Sequence, residues 1–155
     1  MRMHRSEEIW LTVTTAFLVL FLLIGGYLTV QLAMSPPSHR ETIDPQKVGQ
    51  TAPFDNPGVK KIGENEYEVV MTLEAFMFTP GDIEIPAGAK VTFKLTSKDV
   101  VHGFEVAKTN INAMVMPGQI QQITQTFDKP GKYLVLCNEY CGGGHQFMSA
   151  AITVK

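Results

Sequence analysis

Charge never accumulates in this sequence. Its 13 lysines and arginines and 15 aspartates and glutamates leave a net charge of −2, spread without long runs. No basic stripe is present to displace phosphate counterions, so nucleic acid is not expected as a partner. There are only 2 cysteines, enough for one bridge, and 1 tryptophan. Beyond Gly63 neither a helical periodicity nor an internal repeat is found, which argues against a helical bundle or a repeat array. With 155 residues the chain has room for one ordinary domain and little more, and any membrane element must come out of that total.

One such element is plain. From Ile9 to Met34 the sequence IWLTVTTAFLVLFLLIGGYLTVQLAM carries no charge, long enough for an α-helix to cross a hydrocarbon core of about 30 Å with some tilt. A cleaved signal peptide is the alternative, since Arg2 and Arg5 give a basic start. The run far exceeds a signal h-region, however, and Gln31-Leu32-Ala33-Met34-Ser35 is a poor cleavage site. The expected division is a cytoplasmic N-terminus (1–8), a transmembrane helix (9–34), a linker (35–63) and an extracytoplasmic domain (64–155). The basic N-terminus assigns the domain to the extracytoplasmic face, with a prokaryotic cell membrane as the expected location.

The linker assignment follows from composition, because Ser35-Pro36-Pro37-Ser38 and DPQKVGQTAPFDNPGVKKIG are polar and punctuated by proline and glycine. From Glu64 onwards the pattern is β. Runs at 67–73, 90–96, 119–127, 132–137 and 150–154 are rich in β-branched and aromatic residues, and Val91, Phe93 and Leu95 alternate strictly. Turn signals such as Thr79-Pro80-Gly81-Asp82 and Asp128-Lys129-Pro130-Gly131 separate them. About seven short strands in such a length predict a small all-β Greek-key sandwich.

The chemistry concentrates in CNEYCGGGHQFM, Cys137 to Met148. Cys137, Cys141, His145 and Met148 fall in one loop between two strands, and His102 lies at the end of another strand, in Asp99-Val100-Val101-His102-Gly103-Phe104. Thiolate, imidazole and thioether together select copper, since a hard cation wants oxygen and zinc gains nothing from methionine. One copper is satisfied by two histidines, one cysteine and a weak axial methionine, which leaves a thiolate over. Two thiolates bridging two coppers use every donor: one histidine per ion, with Met148 and a backbone carbonyl of the loop in weak axial positions. Gly142, Gly143 and Gly144 suit a backbone folded tightly around such a cluster. The competing readings are a Cys137–Cys141 disulfide, a structural zinc site from His102, Cys137, Cys141 and His145, and a one-copper site with a spare cysteine. The disulfide leaves the histidines and Met148 unexplained, the zinc site lacks the usual C-x2-C spacing, and the spare thiolate is prone to oxidation.

The C-x-E-x-C-G-x-x-H-x-x-M loop, the D-V-x-H-x-F segment and the Pro-Gly-x-Tyr lead-in at Pro130, Gly131 and Tyr133 resemble subunit II of haem-copper cytochrome c oxidases, the subunit with the CuA centre. The resemblance covers about residues 66–155 and the single helix. That helix and Thr109-Asn110-Ile111-Asn112 are most similar to the ba3-type (B-family) oxidases. The resemblance implies a cupredoxin domain and a dinuclear copper CuA centre held by His102, Cys137, the Glu139 carbonyl, Cys141, His145 and Met148. It also implies electron entry from a cytochrome c and delivery to a haem in subunit I, where oxygen is reduced and protons are pumped. The Glu139 side chain is further implied as a ligand of a magnesium ion at the junction with subunit I.

One departure concerns the electron entry point. Mitochondrial-like relatives place tryptophan there, whereas Trp10 lies in the membrane helix. Ala75-Phe76-Met77-Phe78 occupies the corresponding place, so Phe76 and Phe78 are the expected docking residues, with ordinary core positions as the alternative. Two other functions share much of this pattern: a CuA subunit of a nitric oxide reductase, and a membrane-anchored copper carrier or assembly factor.

Overall fold

The computed structural model describes residues 4–31 and 41–155. The chain forms two units, one holding the N-terminal helix and one holding everything from Arg40 onwards.

Helix α1 spans Arg5–Gln31. The stretch Arg5–Leu28, 24 residues long, meets the length and composition of a membrane span; at about 1.5 Å per residue it exceeds the ~30 Å hydrocarbon thickness. Two of its hydroxyls are satisfied within the helix: Thr12 and Thr14 donate to the Glu8 and Trp10 carbonyls, 2.7 and 2.9 Å away, so neither is left unpaired in lipid. Glu7 and Glu8 occupy the first turn, where the helix dipole favours negative charge. The expected end of the span at 32–34 and the start of the linker lie outside the described residues.

The second unit is a two-sheet sandwich. Its strands are β1 (Gly58–Lys61), β2 (Glu66–Glu74), β3 (Met77–Thr79), β4 (Ile83–Ile85), β5 (Ala89–Ser97), β6 (His102–Val106), β7 (Asn112–Val115), β8 (Gln121–Phe127), β9 (Gly131–Leu136) and β10 (Ser149–Val154). One sheet runs β1-β2-β5-β8 with β3 also on β2; the other runs β4-β10-β9-β6-β7. Strand β5 shows the cause of the arrangement. Ala89, Val91, Phe93 and Leu95 point inwards and are fully buried, where the Phe93 ring meets Phe104 of the opposite sheet at 5.4 Å and Phe127 at 6.3 Å.

Residues 41–63 depart from the expected linker. Pro45–Gln50 forms a 3-10 turn capped by the Asp44 side chain, β1 pairs with β2, and Ile43, Val48 and Phe54 are buried with Val70 in a second small core. The sandwich unit therefore begins some twenty residues before Glu64. The physical reason is β2 itself: Val69, Met71 and Leu73 face the main core while Val70 faces the other way, and the 43–54 segment covers it. Strand β2 is buried on both faces.

Candidate metal centre

Three neighbouring strands, β10, β9 and β6, bring the ligand candidates to one rim. His102 is the first residue of β6, Cys137 follows the last residue of β9, and Met148 precedes the first of β10. The loop between β9 and β10 is closed at its base, because the Cys137 N–H donates to the Met148 carbonyl at 3.2 Å. Inside it, a 3-10 turn at His145–Phe147 and the His145 N–H to Gly142 carbonyl bond at 3.1 Å fix the path. Gly142 takes φ +129°, a conformation other residues rarely adopt. A Cβ on Gly144 would come within 2.4 Å of the Phe76 ring, whereas one on Gly143 would meet nothing. Two of the three glycines are thus required by the fold.

The donor atoms converge. His102, Cys137 and Cys141 place one donor each within 4.8 Å of one another. The two sulfurs are 3.7 Å apart, and both cysteines are unbridged. That gap is far above a disulfide's ~2.05 Å. It is close to the roughly 3.8 Å edge between two sulfurs that share a tetrahedral ion at ~2.3 Å. His102 Nδ1 lies 3.9 Å from Cys137 Sγ, and His145 Nδ1 lies 3.6 Å from Cys141 Sγ. Each histidine therefore faces a different sulfur. Met148 Sδ is 3.8 Å from Cys141 Sγ, and the Glu139 carbonyl is 3.2 Å from Cys137 Sγ. Two sulfurs flanked by two imidazoles, a thioether and a carbonyl suit two soft ions better than one.

His102 is fully buried, and its Nε2 sits 2.8 Å from Asp99 Oδ1. That contact selects the tautomer with the proton on Nε2 and leaves the Nδ1 lone pair for a metal. Asp99 also accepts from the Ala75 and Val100 N–H groups at 2.7 and 2.6 Å. Partial burial pushes the Asp99 carboxyl up, but the hydrogen bonds from His102, Ala75 and Val100 outweigh it and hold the group below its usual range. Burial and the neighbouring Cys137 push the Cys141 thiol up to about 11. Asp99 was legible only as the residue three before His102, in Asp-Val-Val-His. No sequence feature marked Gly103, whose N–H donates to Cys137 Sγ at 3.4 Å.

The two phenylalanines part company. Phe76 belongs to the turn between β2 and β3, is 39% exposed, and rests on the glycines of the ligand loop. Phe78 is 3% exposed and packs edge-on against Phe104 at 6.1 Å. The expectation that Phe78 belongs to an exposed docking patch is corrected: it is a core residue. The Glu139 carboxylate is half-buried and makes no hydrogen bond or ion pair among the described residues.

Comparison with known proteins agrees with this geometry. The family described as cytochrome C oxidase subunit II, periplasmic domain, matches residues 66–155. Cytochrome c oxidase subunit 2 of Thermus thermophilus is 41% identical over 153 residues, covering 96% of this chain and 91% of that one. A chain of a haem-copper terminal oxidase dimer solved by cryo-EM superposes with a TM-score of 0.70 at 32% identity, covering 97% of this chain and 100% of its own. The periplasmic domain of subunit II of cytochrome oxidase from Bradyrhizobium japonicum shares the fold, with a TM-score of 0.53 at 19% identity over 57% of this chain and 83% of that one. The sandwich is of the cupredoxin kind, and the one membrane-length apolar helix among the described residues, together with the likeness to the oxidase subunits, supports a single-pass membrane protein. On the match over residues 66–155 and the full-length likeness to the Thermus subunit, the chain belongs to the cytochrome c oxidase subunit II family.

Proposed function

We propose that this chain holds a dinuclear copper CuA centre and uses it to carry electrons from cytochrome c to a haem in subunit I of a haem-copper oxidase. The observation that carries the reading is the pair of unbridged thiols 3.7 Å apart, each with its own histidine. Cys137, Cys141, His102 and His145 would hold the copper pair as its strong thiolate and imidazole donors, and Met148 and the Glu139 carbonyl would supply the weak thioether and oxygen donors. Bound there, the copper pair supplies a one-electron store spread over two ions and two sulfurs.

The chain's own part is to keep the donors still. Asp99 holds the His102 ring by its far nitrogen, the closed base of the loop fixes Cys137 against Met148, and the sandwich frame carries all of them. Donors that barely move between oxidation states make little demand for reorganisation. The six donors leave no open coordination position, which favours electron transfer over substrate chemistry at this metal.

Phe76 is the docking residue for the donor cytochrome. It lies on the ligand loop with its ring partly open to solvent. The unpartnered Glu139 carboxylate is the proposed magnesium ligand at the junction with subunit I. Arg2 and Arg5 before the apolar run favour a cytoplasmic N-terminus and an outward-facing domain. Oxygen reduction and proton translocation belong to subunit I. The relatives are oxidase subunits, so neither the nitric oxide reductase nor the copper-carrier reading is favoured.

Copper per chain and the electron paramagnetic resonance spectrum of the full-length protein in detergent test this. Two coppers sharing one unpaired electron, with a seven-line pattern or its unresolved equivalent, are expected. One copper with a four-line pattern, or none with Cys137 joined to Cys141, overturns it. Cys141→Ser is expected to abolish the two-copper spectrum, because one thiolate cannot bridge as two do; a normal spectrum in that variant would contradict the bridging role.

A further inference from the structure

Outside the six donors, the tightest packing at the centre lies between the start of β6 and the Asn138–Glu139 peptide. A Cβ on Gly103 would stand 1.9 Å from Asn138 Oδ1, 2.6 Å from the Asn138 nitrogen and 2.7 Å from the Glu139 nitrogen. Two of these atoms are backbone, so no side-chain rotation relieves the overlap. The peptide that precedes the Glu139 carbonyl is pressed against a strand that has room for it only because residue 103 is glycine. From the other side Asn138 Nδ2 donates to Asn112 Oδ1 at 2.9 Å, which ties the first turn of the ligand loop to the start of β7. Strand β7 is itself paired to β6, with Gly103 opposite Met114 and Glu105 opposite Asn112. Strand, loop and neighbouring strand form a closed bracket.

We propose that Gly103, Asn138 and Asn112 act as a positioning clamp that sets the approach of the Glu139 carbonyl to the cysteine pair and thereby tunes the reduction potential of the copper centre; the inference rests on the copper reading above. The carbonyl oxygen lies 3.2 Å from Cys137 Sγ, and the Gly103 N–H reaches the same sulfur at 3.4 Å. Both contacts depend on one close approach of backbone to backbone. An axial oxygen stabilises the more positive, oxidised state, and axial ligands are a recognised control on the potential of copper–thiolate sites. Loosening the clamp weakens that donation and raises the potential. Since the clamp residues are not themselves the donors, their effect is on geometry and not on copper count.

The test uses the full-length protein in detergent, loaded with copper, at high salt so that added charge is screened. Gly103→Ala is expected to keep two coppers and to shift the reduction equilibrium at least tenfold towards the reduced form, about 59 mV for a one-electron couple. Asn112→Ala, at a residue that is not itself a donor, is expected to shift it in the same direction by a few-fold, while Asn112→Asp, which keeps the acceptor, restores the original value. If Gly103→Ala fails to fold or to bind copper, the Asn112 pair decides alone. Unchanged potentials in Gly103→Ala and Asn112→Ala, or equal shifts in Asn112→Ala and Asn112→Asp, overturn the clamp. A separate readout does not depend on copper: in the metal-free protein, hydrogen exchange at the Gly103 amide, which donates to Cys137 Sγ, is expected to quicken about tenfold in Asn112→Ala. Unaltered exchange contradicts the clamp, whereas a wild-type chain that binds no copper pair contradicts the parent reading.

Discussion

Replacing Asp99 by asparagine removes a charge while keeping the shape, and the structure sets the size of the effect. The His102 ring is fully buried, so the Nε2 proton has no water to turn to once its 2.8 Å partner at Asp99 weakens. Hydrogen bonds to charged groups contribute about 1.5–3 kcal/mol. Asparagine retains one acceptor oxygen, but its amide then faces either His102 or the Ala75 N–H, donor against donor. The Asp99 side chain is 35% exposed, and water on that side compensates in part, which puts the stability loss near the lower end, about 1.5 kcal/mol. The larger consequence is for metal: loss of an outer partner of a ligating histidine typically costs about 10–100-fold in affinity. Chelator competition on full-length wild-type and Asp99→Asn protein measures this, with thermal unfolding alongside. The acid dependence has a defined sign. Because the folded carboxyl lies below its usual value, its contribution is complete above about pH 4 and fades as pH falls through the depressed folded value, leaving the neutral range untouched. Copper affinity within twofold of wild type in Asp99→Asn would show that Asp99 does not hold His102 for the metal.

The packing around the centre and under β2 sets three further outcomes. Met148→Leu is expected to keep both coppers, since the near-equal volume costs under about 1.5 kcal/mol, while the potential moves with loss of the axial thioether; a copper-free protein would contradict a weak axial role. Phe54→Ala is expected to lower unfolding stability by about 3 kcal/mol, as for a buried phenylalanine, although a mere linker residue would cost under about 0.5 kcal/mol. Phe76→Ala, in the assembled oxidase, is expected to raise the KM for cytochrome c about tenfold, the effect of losing a modest interface anchor, with copper content unchanged; an unaltered KM would remove Phe76 from the docking surface.

What the sequence disclosed depended on how local the signal was. The alternation in β5 was readable because one of its faces is core and the other is solvated, so each inward residue is flanked by polar ones. In β2 that logic fails: Val69, Val70 and Met71 are all buried, since the 43–54 segment covers the second face. The same fact hid the segment. Ile43, Val48 and Phe54 are three apolar residues scattered through a polar stretch, with no period to betray that they share a core. Strands β3 and β4 have 3 residues each, too few for any period to show. Phe76 and Phe78 stand two apart, which would place both on one face of a strand, yet β3 begins only at Met77. Phe76 is in the turn, so parity does not link the pair.

The site was more legible than the fold because donor chemistry survives without geometry. Cysteine, histidine and methionine announce a soft metal wherever the backbone runs, and their spacing within one loop needs no tertiary contact to be noticed. The residues that make the donors effective announce nothing. Asp99 is one carboxylate among many until the fold puts it 2.8 Å behind His102, and Gly103 is one glycine among 13 until the Asn138–Glu139 peptide lies against it. Asp99 stands only 3 positions from His102, but the Gly103 contacts join β6 to a loop more than thirty residues further along the chain, as with the Gly103 N–H and Cys137 sulfur, 34 positions apart. Ligand identity is therefore a local property of this sequence, whereas the stiffness that suits those ligands to electron transfer is a property of the closed sandwich.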